Sequence, residues 1–72
     1  MDAFIRNLKE TRKLNNLSQR QVADYLGITQ PSYIRYENGK AEPSLENLVK
    51  LADLFDVSVD YLLGRKDYWL FL

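Results

Sequence analysis

Residues Gln19 to Asn38, QRQVADYLGITQPSYIRYEN, decide how the rest of this chain is read. They spell two short helices joined by a tight turn. Ser18 stands just before the stretch and Gln21 three residues after that serine. A hydroxyl and an amide can therefore each satisfy an orphaned N–H in a reciprocal capping box. Leu17 and Val22 occupy the staple positions around the cap, and Val22, Ala23 and Leu26 form an apolar stripe at helical spacing. Gly27 ends this helix where the chain must pass through left-handed backbone, a conformation glycine adopts without steric cost. The chain restarts at once with Ile28, then Thr29 as N-cap, then Gln30 and Pro31 in the first turn, where the N–H that proline lacks would have no intrahelical partner. Tyr33 and Tyr36 lie three apart on the face expected to be buried, leaving Gln30, Pro31, Ser32, Ile34 and Arg35 outside. Ala23 is small because two helices joined by so short a turn approach closely there.

Working outward, the segment before this pair reads as a helix from a cap at Asp2 to about Leu14, with Phe4, Ile5 and Leu8 as its buried stripe. The next member of that stripe is Arg12, and a charge on a buried face needs a partner. After the pair, Asn38 to Pro43 make a polar loop. Ser44 caps a fourth helix whose core face is read as Leu45, Leu48, Val49, Ala52 and Phe55. Ser58 caps a fifth, stapled by Val57 and Leu62, with Val59, Leu62 and Leu63 inward and Gly64 as its stop. The expectation is an all-α, compact five-helix bundle over residues 1–66. Residues 67–72 are set apart as an apolar C-terminal tail, because Tyr68, Trp69, Leu70, Phe71 and Leu72 fit none of these helices. Five consecutive apolar or aromatic side chains call for a cover, either helices one and five of the same chain or a partner.

Composition bounds the function. Seventy-two residues make one domain, and 46% apolar residues are too many for a disordered chain. With neither cysteine nor histidine, disulfides and zinc fingers are excluded, and the usual nucleophile and acid–base residues are missing. The acidic residues Glu42, Glu46, Asp53, Asp56 and Asp60 lack the compact spacing a calcium loop requires. No Gly-rich phosphate loop is present, so the chain reads as a non-enzyme that needs no metal or cofactor. No apolar run approaches the ~18 residues of a membrane span, and the start lacks a secretory pattern, so a cytoplasmic protein without membrane contact is expected. Net charge is zero, yet residues 1–40 carry seven basic and four acidic side chains while residues 41–72 carry three and six. The positive half holds the helix pair, as an electrostatic footprint for nucleic acid requires.

Helix, glycine turn, helix, with a small residue at the fifth position of the first, resembles the helix-turn-helix of the phage-repressor and Cro-like (Xre) family. The likeness continues through YENGK (Tyr36 to Lys40), EPSLENLVKLADLFDVS (Glu42 to Ser58) and VDYLLGR (Val59 to Arg65), about nine-tenths of the chain. It implies a lambda-repressor-like bundle with the DNA-binding unit in helices two and three. It also implies that Arg12 pairs with Glu37, a structural ion pair common in this family. By the same resemblance, Gln30, Pro31, Ser32 and Arg35 would meet base edges, and Gln19, Asn38 and Lys40 would meet phosphates. The implied function is that of a sequence-specific transcriptional regulator, a repressor in a phage, prophage or bacterial genetic switch, bound to a double-stranded operator as a homodimer. Two features point to a second reading. Pro31 replaces the family's usual polar residue, and Ile34 and the tail (Tyr68 to Leu72) add apolar surface. A small antirepressor or corepressor could use that surface to hold another repressor protein.

Overall fold

The structure, a computed structural model, describes residues 2–68. In these residues the chain forms five helices, α1 (Asp2–Leu14), α2 (Gln19–Leu26), α3 (Gln30–Glu37), α4 (Leu45–Phe55) and α5 (Val59–Leu62). Four of them begin at a hydroxyl cap. Ser18, Thr29, Ser44 and Ser58 each accept a hydrogen bond from the backbone N–H three residues on, in extended backbone suited to the cap. Ser18 and Gln21 form the full reciprocal box. Asp2, expected as a cap, is instead the first residue of α1, where its carboxylate still favours the positive end of the helix.

The chain ends of α2 and α4 differ in kind. Gly27 closes α2 at φ 73° with open space around it. Asp56 closes α4 in the same left-handed region at φ 56°, a position where a non-glycine residue is uncommon and acidic or amide side chains are the usual exceptions.

The helices surround one core made of Phe4, Leu8, Val22, Ala23, Leu26, Tyr33, Leu51, Ala52, Phe55, Val57 and Leu62. α2 and α3 pack closely on each other. α1 bridges α3 to α5, and α4 lies against α2 and α5. Two stripes differ from the sequence reading. On α1 the buried positions are Phe4, Asn7, Leu8 and Thr11, so half of the stripe is polar and invisible to a search for apolar spacing. The Asn7 amide donates to the Tyr61 carbonyl at 2.9 Å, tying α1 to α5, while the Thr11 hydroxyl has no partner among the described residues. On α4 the buried face is Leu51, Ala52 and Phe55, flanked by the half-buried Leu48 and Leu54. Leu45 and Val49, both read as core, are 82% and 50% exposed. The face that fits the core runs through 48, 51, 52 and 55. Val49 falls beside it, and the first turn carrying Leu45 projects past it.

Gly64 is required twice over. Its φ of 80° lies in the left-handed region, and a Cβ there would collide with the Ala3 Cβ. The close approach lets the end of α5 seat on α1. We expect Gly64→Ala to cost about 1–3 kcal/mol, from strained backbone together with the contact. Gly27→Ala, which meets nothing, should cost only the ~1–2 kcal/mol of left-handed backbone. Thermal unfolding of the two variants checks the order, and a Gly27 variant that is the weaker of the two would contradict it.

Candidate nucleic-acid interface

The α2–α3 pair is locked from its inner side. Ala23 is fully buried beneath the turn, and the Ile28 N–H returns to the Ala23 carbonyl at 3.0 Å. Glu37, at the end of α3, is only 2% exposed and gathers donors from three helices. Arg12 of α1 reaches it with Nε at 2.6 Å and Nη2 at 3.2 Å, one to each carboxylate oxygen. The Tyr33 hydroxyl donates at 2.5 Å, and the Gln19 amide of α2 donates at 3.1 Å. The remaining face of Arg12 donates to the Leu17 carbonyl at 3.0 Å, holding the α1–α2 connection as well.

These contacts set the ionisation of the cluster. Burial by itself would raise the Glu37 carboxyl, but the hydrogen bonds from Arg12, Tyr33 and Gln19 outweigh it and leave the carboxyl below its ordinary 4.5. Burial first, then the hydrogen bond to Glu37, push the Tyr33 phenol above its ordinary 10.0. Arg12 is raised chiefly by its hydrogen bond to Glu37 and stays charged.

With Tyr33 and Glu37 turned inward, the opposite side of α3 is left to solvent. Gln30, Pro31, Ser32 and Arg35 are all exposed, as are Asn38 and Lys40 just beyond the helix. Ile34, expected outside, is half-buried. The Tyr36 ring stands edge-on to Tyr33, 6.1 Å away, and its hydroxyl accepts from the Asn47 amide of α4 at 3.2 Å. On the outer side the Thr29 and Ser32 hydroxyls are 2.9 Å apart, and Arg35 Nη2 donates to the Lys40 carbonyl at 3.2 Å. Gln19 lies at the near end of this surface, but one of its amide hydrogens is already committed to Glu37. Its neighbour Arg20 is exposed and has no carboxylate partner among the described residues. The sequence reading does not single out Arg20, because it looks to residues aligned with a motif. Its position in the first turn of a capped helix next to Gln19 is the available signal. Tyr68 is exposed, while Trp69, Leu70, Phe71 and Leu72 lie outside the described residues. Among the described residues no group of three or more acidic side chains is arranged to hold a metal, and no helix is long and apolar enough to cross a membrane.

A short helix fixed on one side and presenting an amide, a hydroxyl and a guanidinium on the other defines a helix-turn-helix. Residues 8–62 match the helix-turn-helix family model, and the chain belongs to that family. It is 48% identical over 58 residues to the cryptic phage CTXphi transcriptional repressor RstR of Vibrio cholerae, a match covering 81% of this chain and 52% of that protein. It is 52% identical over 59 residues to the transcriptional regulator AnsR of Bacillus subtilis, covering 82% of this chain and 51% of that one. Among solved structures, a transcriptional regulator from Listeria innocua superposes with a TM-score of 0.80 at 33% identity, over 85% of this chain and 57% of that chain. The chain spans about half the length of the curated relatives it matches.

Removing one partner from the Glu37 cluster should leave a buried charge unpaired. Arg12→Ala is expected to destabilise the fold by about 3 kcal/mol, the lower end for a buried pair because the Arg12 side chain keeps 12% exposure. An unchanged urea midpoint would contradict this. The depressed Glu37 carboxyl gives stability that is present above the unfolded value near 4.5 and is lost as pH falls through the folded value. The urea midpoint of the parent should therefore fall across that acid range more steeply than that of Glu37→Gln, which starts lower. Parallel curves would contradict the assignment.

Proposed function

We propose that this chain binds double-stranded DNA in a sequence-specific manner as the reading unit of a transcriptional regulator, and that it represses transcription in a phage, prophage or bacterial switch. The observation that carries the reading is the two-sidedness of α3. Tyr33 and Glu37 are held inside, while Gln30, Ser32 and Arg35 are exposed on the helix and Asn38 and Lys40 just past its end. A helix of this kind fits the B-DNA major groove, with its first residues against base edges and the preceding helix across the backbone. Gln30 is suited to a bidentate contact with adenine N6 and N7. Arg35 is suited to guanine O6 and N7, and Pro31 to a thymine methyl. Ser32, bonded to Thr29, keeps capacity for a further hydrogen bond to a base edge. Gln19, Asn38 and Lys40 are assigned to phosphates, and Arg20 joins them. These contacts fix register without reading sequence.

In this reading residues 1–66 are the DNA-binding domain and residues 67–72 a separate segment. One copy reads few base pairs, so two copies are placed on half-sites about 34 Å apart, as a homodimer at least on DNA. The similarity to a phage repressor supports repression as the direction of control. The action belongs to the cytoplasm, where the operator is. The rival reading, an antirepressor or corepressor that grips another repressor, draws on apolar surface. With Ile34 half-buried, Pro31 is the apolar side chain left exposed on this face of α3, and the DNA reading is preferred.

The test is fluorescence anisotropy against a duplex selected from a random pool, over a salt series. Gln30→Ala should cost about 1–3 kcal/mol and relax discrimination at one base position. Lys40→Ala should weaken all duplexes alike and reduce the salt slope by about one. Failure to enrich any sequence, or parental affinity in both variants, would contradict the reading.

A further inference from the structure

Of the five asparagines in the chain, Asn38 alone is followed by glycine; the others precede Leu8, Asn16, Leu17 and Leu48. The pair closes α3. Asn38 is the C-cap at φ −97° and ψ 1°, and Gly39 follows in left-handed backbone at φ 71°. Both residues are exposed, and the Asn38 side-chain amide has no hydrogen-bond partner among the described residues. By contrast, the amides of Asn7, Asn15 and Asn47 donate to the Tyr61 carbonyl, the Thr11 carbonyl and the Tyr36 hydroxyl. The Gly39 N–H is held weakly, by the Tyr36 carbonyl at 3.4 Å, beyond the usual range for such a bond. A free carboxamide thus stands next to a main-chain nitrogen that no side chain shields.

We propose that Asn38–Gly39 is a site of spontaneous deamidation, and that the conversion weakens the DNA contact at the end of α3. The Gly39 nitrogen, giving up its proton to solvent hydroxide, attacks Asn38 Cγ. An N–Cγ bond forms and the Cγ–Nδ2 bond breaks. The departing nitrogen takes a proton from water and leaves as ammonia, and a five-membered succinimide remains. Water then opens the ring at Cγ to give aspartate, or at the main-chain carbonyl carbon to give isoaspartate. Nothing is oxidised or reduced. Reaction requires Asn38 ψ to turn away from its value in the cap, which releases the Gly39 N–H from Tyr36 and those of Lys40 and Ala41 from the Arg35 carbonyl. Such an opening at a helix end lies on the low-cost side of local unfolding. Both products place a negative charge at the negative end of the α3 dipole and beside the phosphates assigned to Asn38 and Lys40. Isoaspartate also adds one methylene to the main chain there, displacing Lys40, whose carbonyl accepts from Arg35 Nη2 at 3.2 Å. The modification is independent of the DNA reading, and its effect on binding rests on that reading.

The test ages the purified chain in warm, mildly alkaline buffer, following each asparagine by peptide mass spectrometry and the affinity for the selected duplex by fluorescence anisotropy. We expect a one-dalton gain at Asn38 several-fold faster than at Asn7, Asn15, Asn16 or Asn47, with the helical circular dichroism retained. Affinity should fall several-fold in step with that gain. Asn38→Asp should show the weaker binding from the outset. Asn38→Gln, whose longer side chain closes a six-membered ring far more slowly, should hold its own starting affinity throughout. Deamidation at Asn38 no faster than at the other asparagines would overturn the proposal. So would a loss of affinity shared by Asn38→Gln, or full conversion at Asn38 with affinity unchanged. A fresh parent that enriches no duplex would overturn the DNA reading and with it the effect on binding, while the mass gain at Asn38 decides the modification on its own.

Discussion

The structure depends on one buried carboxylate. Glu37 sits where α1, α2 and α3 meet, and it is tolerable there because every hydrogen bond it makes has a donor on the other side: two from Arg12, one from Tyr33 and one from Gln19. An unpaired charge at that depth would cost several kcal/mol, so the three helices are held in the one arrangement that supplies the donors. Apolar packing of Val22, Ala23 and Tyr33 makes α2 and α3 adhere. The directional bonds to Glu37 fix their rotation about their own axes, which packing alone specifies poorly. The outward face of α3 is a consequence of that rotation.

This accounts for a division of labour along a helix of eight residues. Tyr33, Tyr36 and Glu37 belong to the interior and to the contact with α4 through Asn47, while Gln30, Pro31, Ser32 and Arg35 are free of structural duty apart from local bonds to Thr29 and Lys40. Such a surface can change its side chains without endangering the fold. A family of regulators can thereby keep one framework and read different sequences. The cations are arranged to suit. Arg12 is consumed by Glu37, whereas Arg20, Arg35 and Lys40 around the helix pair make no ion pair among the described residues. A chain of zero net charge thus keeps free cations on the half that holds α3.

Much of the fold was legible because its signals are local. A hydroxyl followed by a helical stripe marks a cap whatever the rest of the chain does, and all four such caps, together with the glycine at 27, stand where the spacing placed them. The features that escaped depend on neighbours distant in sequence. Asn7 and Thr11 look like surface residues until Tyr61 is brought beside α1, and Leu45 and Val49 look like core until the packed face of α4 is seen to run through Leu51. Gly64 could be read as a helix stop, but not as the point where the chain touches Ala3. In the candidate site, Arg12 stood out as a charge on an apolar stripe. The commitment of Gln19 to Glu37 did not, since an amide near a helix start is equally suited to solvent or phosphate.

The reading proposed for this chain makes the outward face of α3, together with the start of α2 and the residues just past Glu37, the surface that meets the DNA. The most direct test is titration of the 15N-labelled protein with a duplex selected for binding, followed residue by residue in amide spectra. Shifts are expected to concentrate at Gln19 and Arg20, at Gln30 to Arg35 and at Asn38 to Lys40, with α5 and the α1 face beside it unmoved. Shifts centred on α4, α5 or the start of α1, with α3 silent, would contradict the claim.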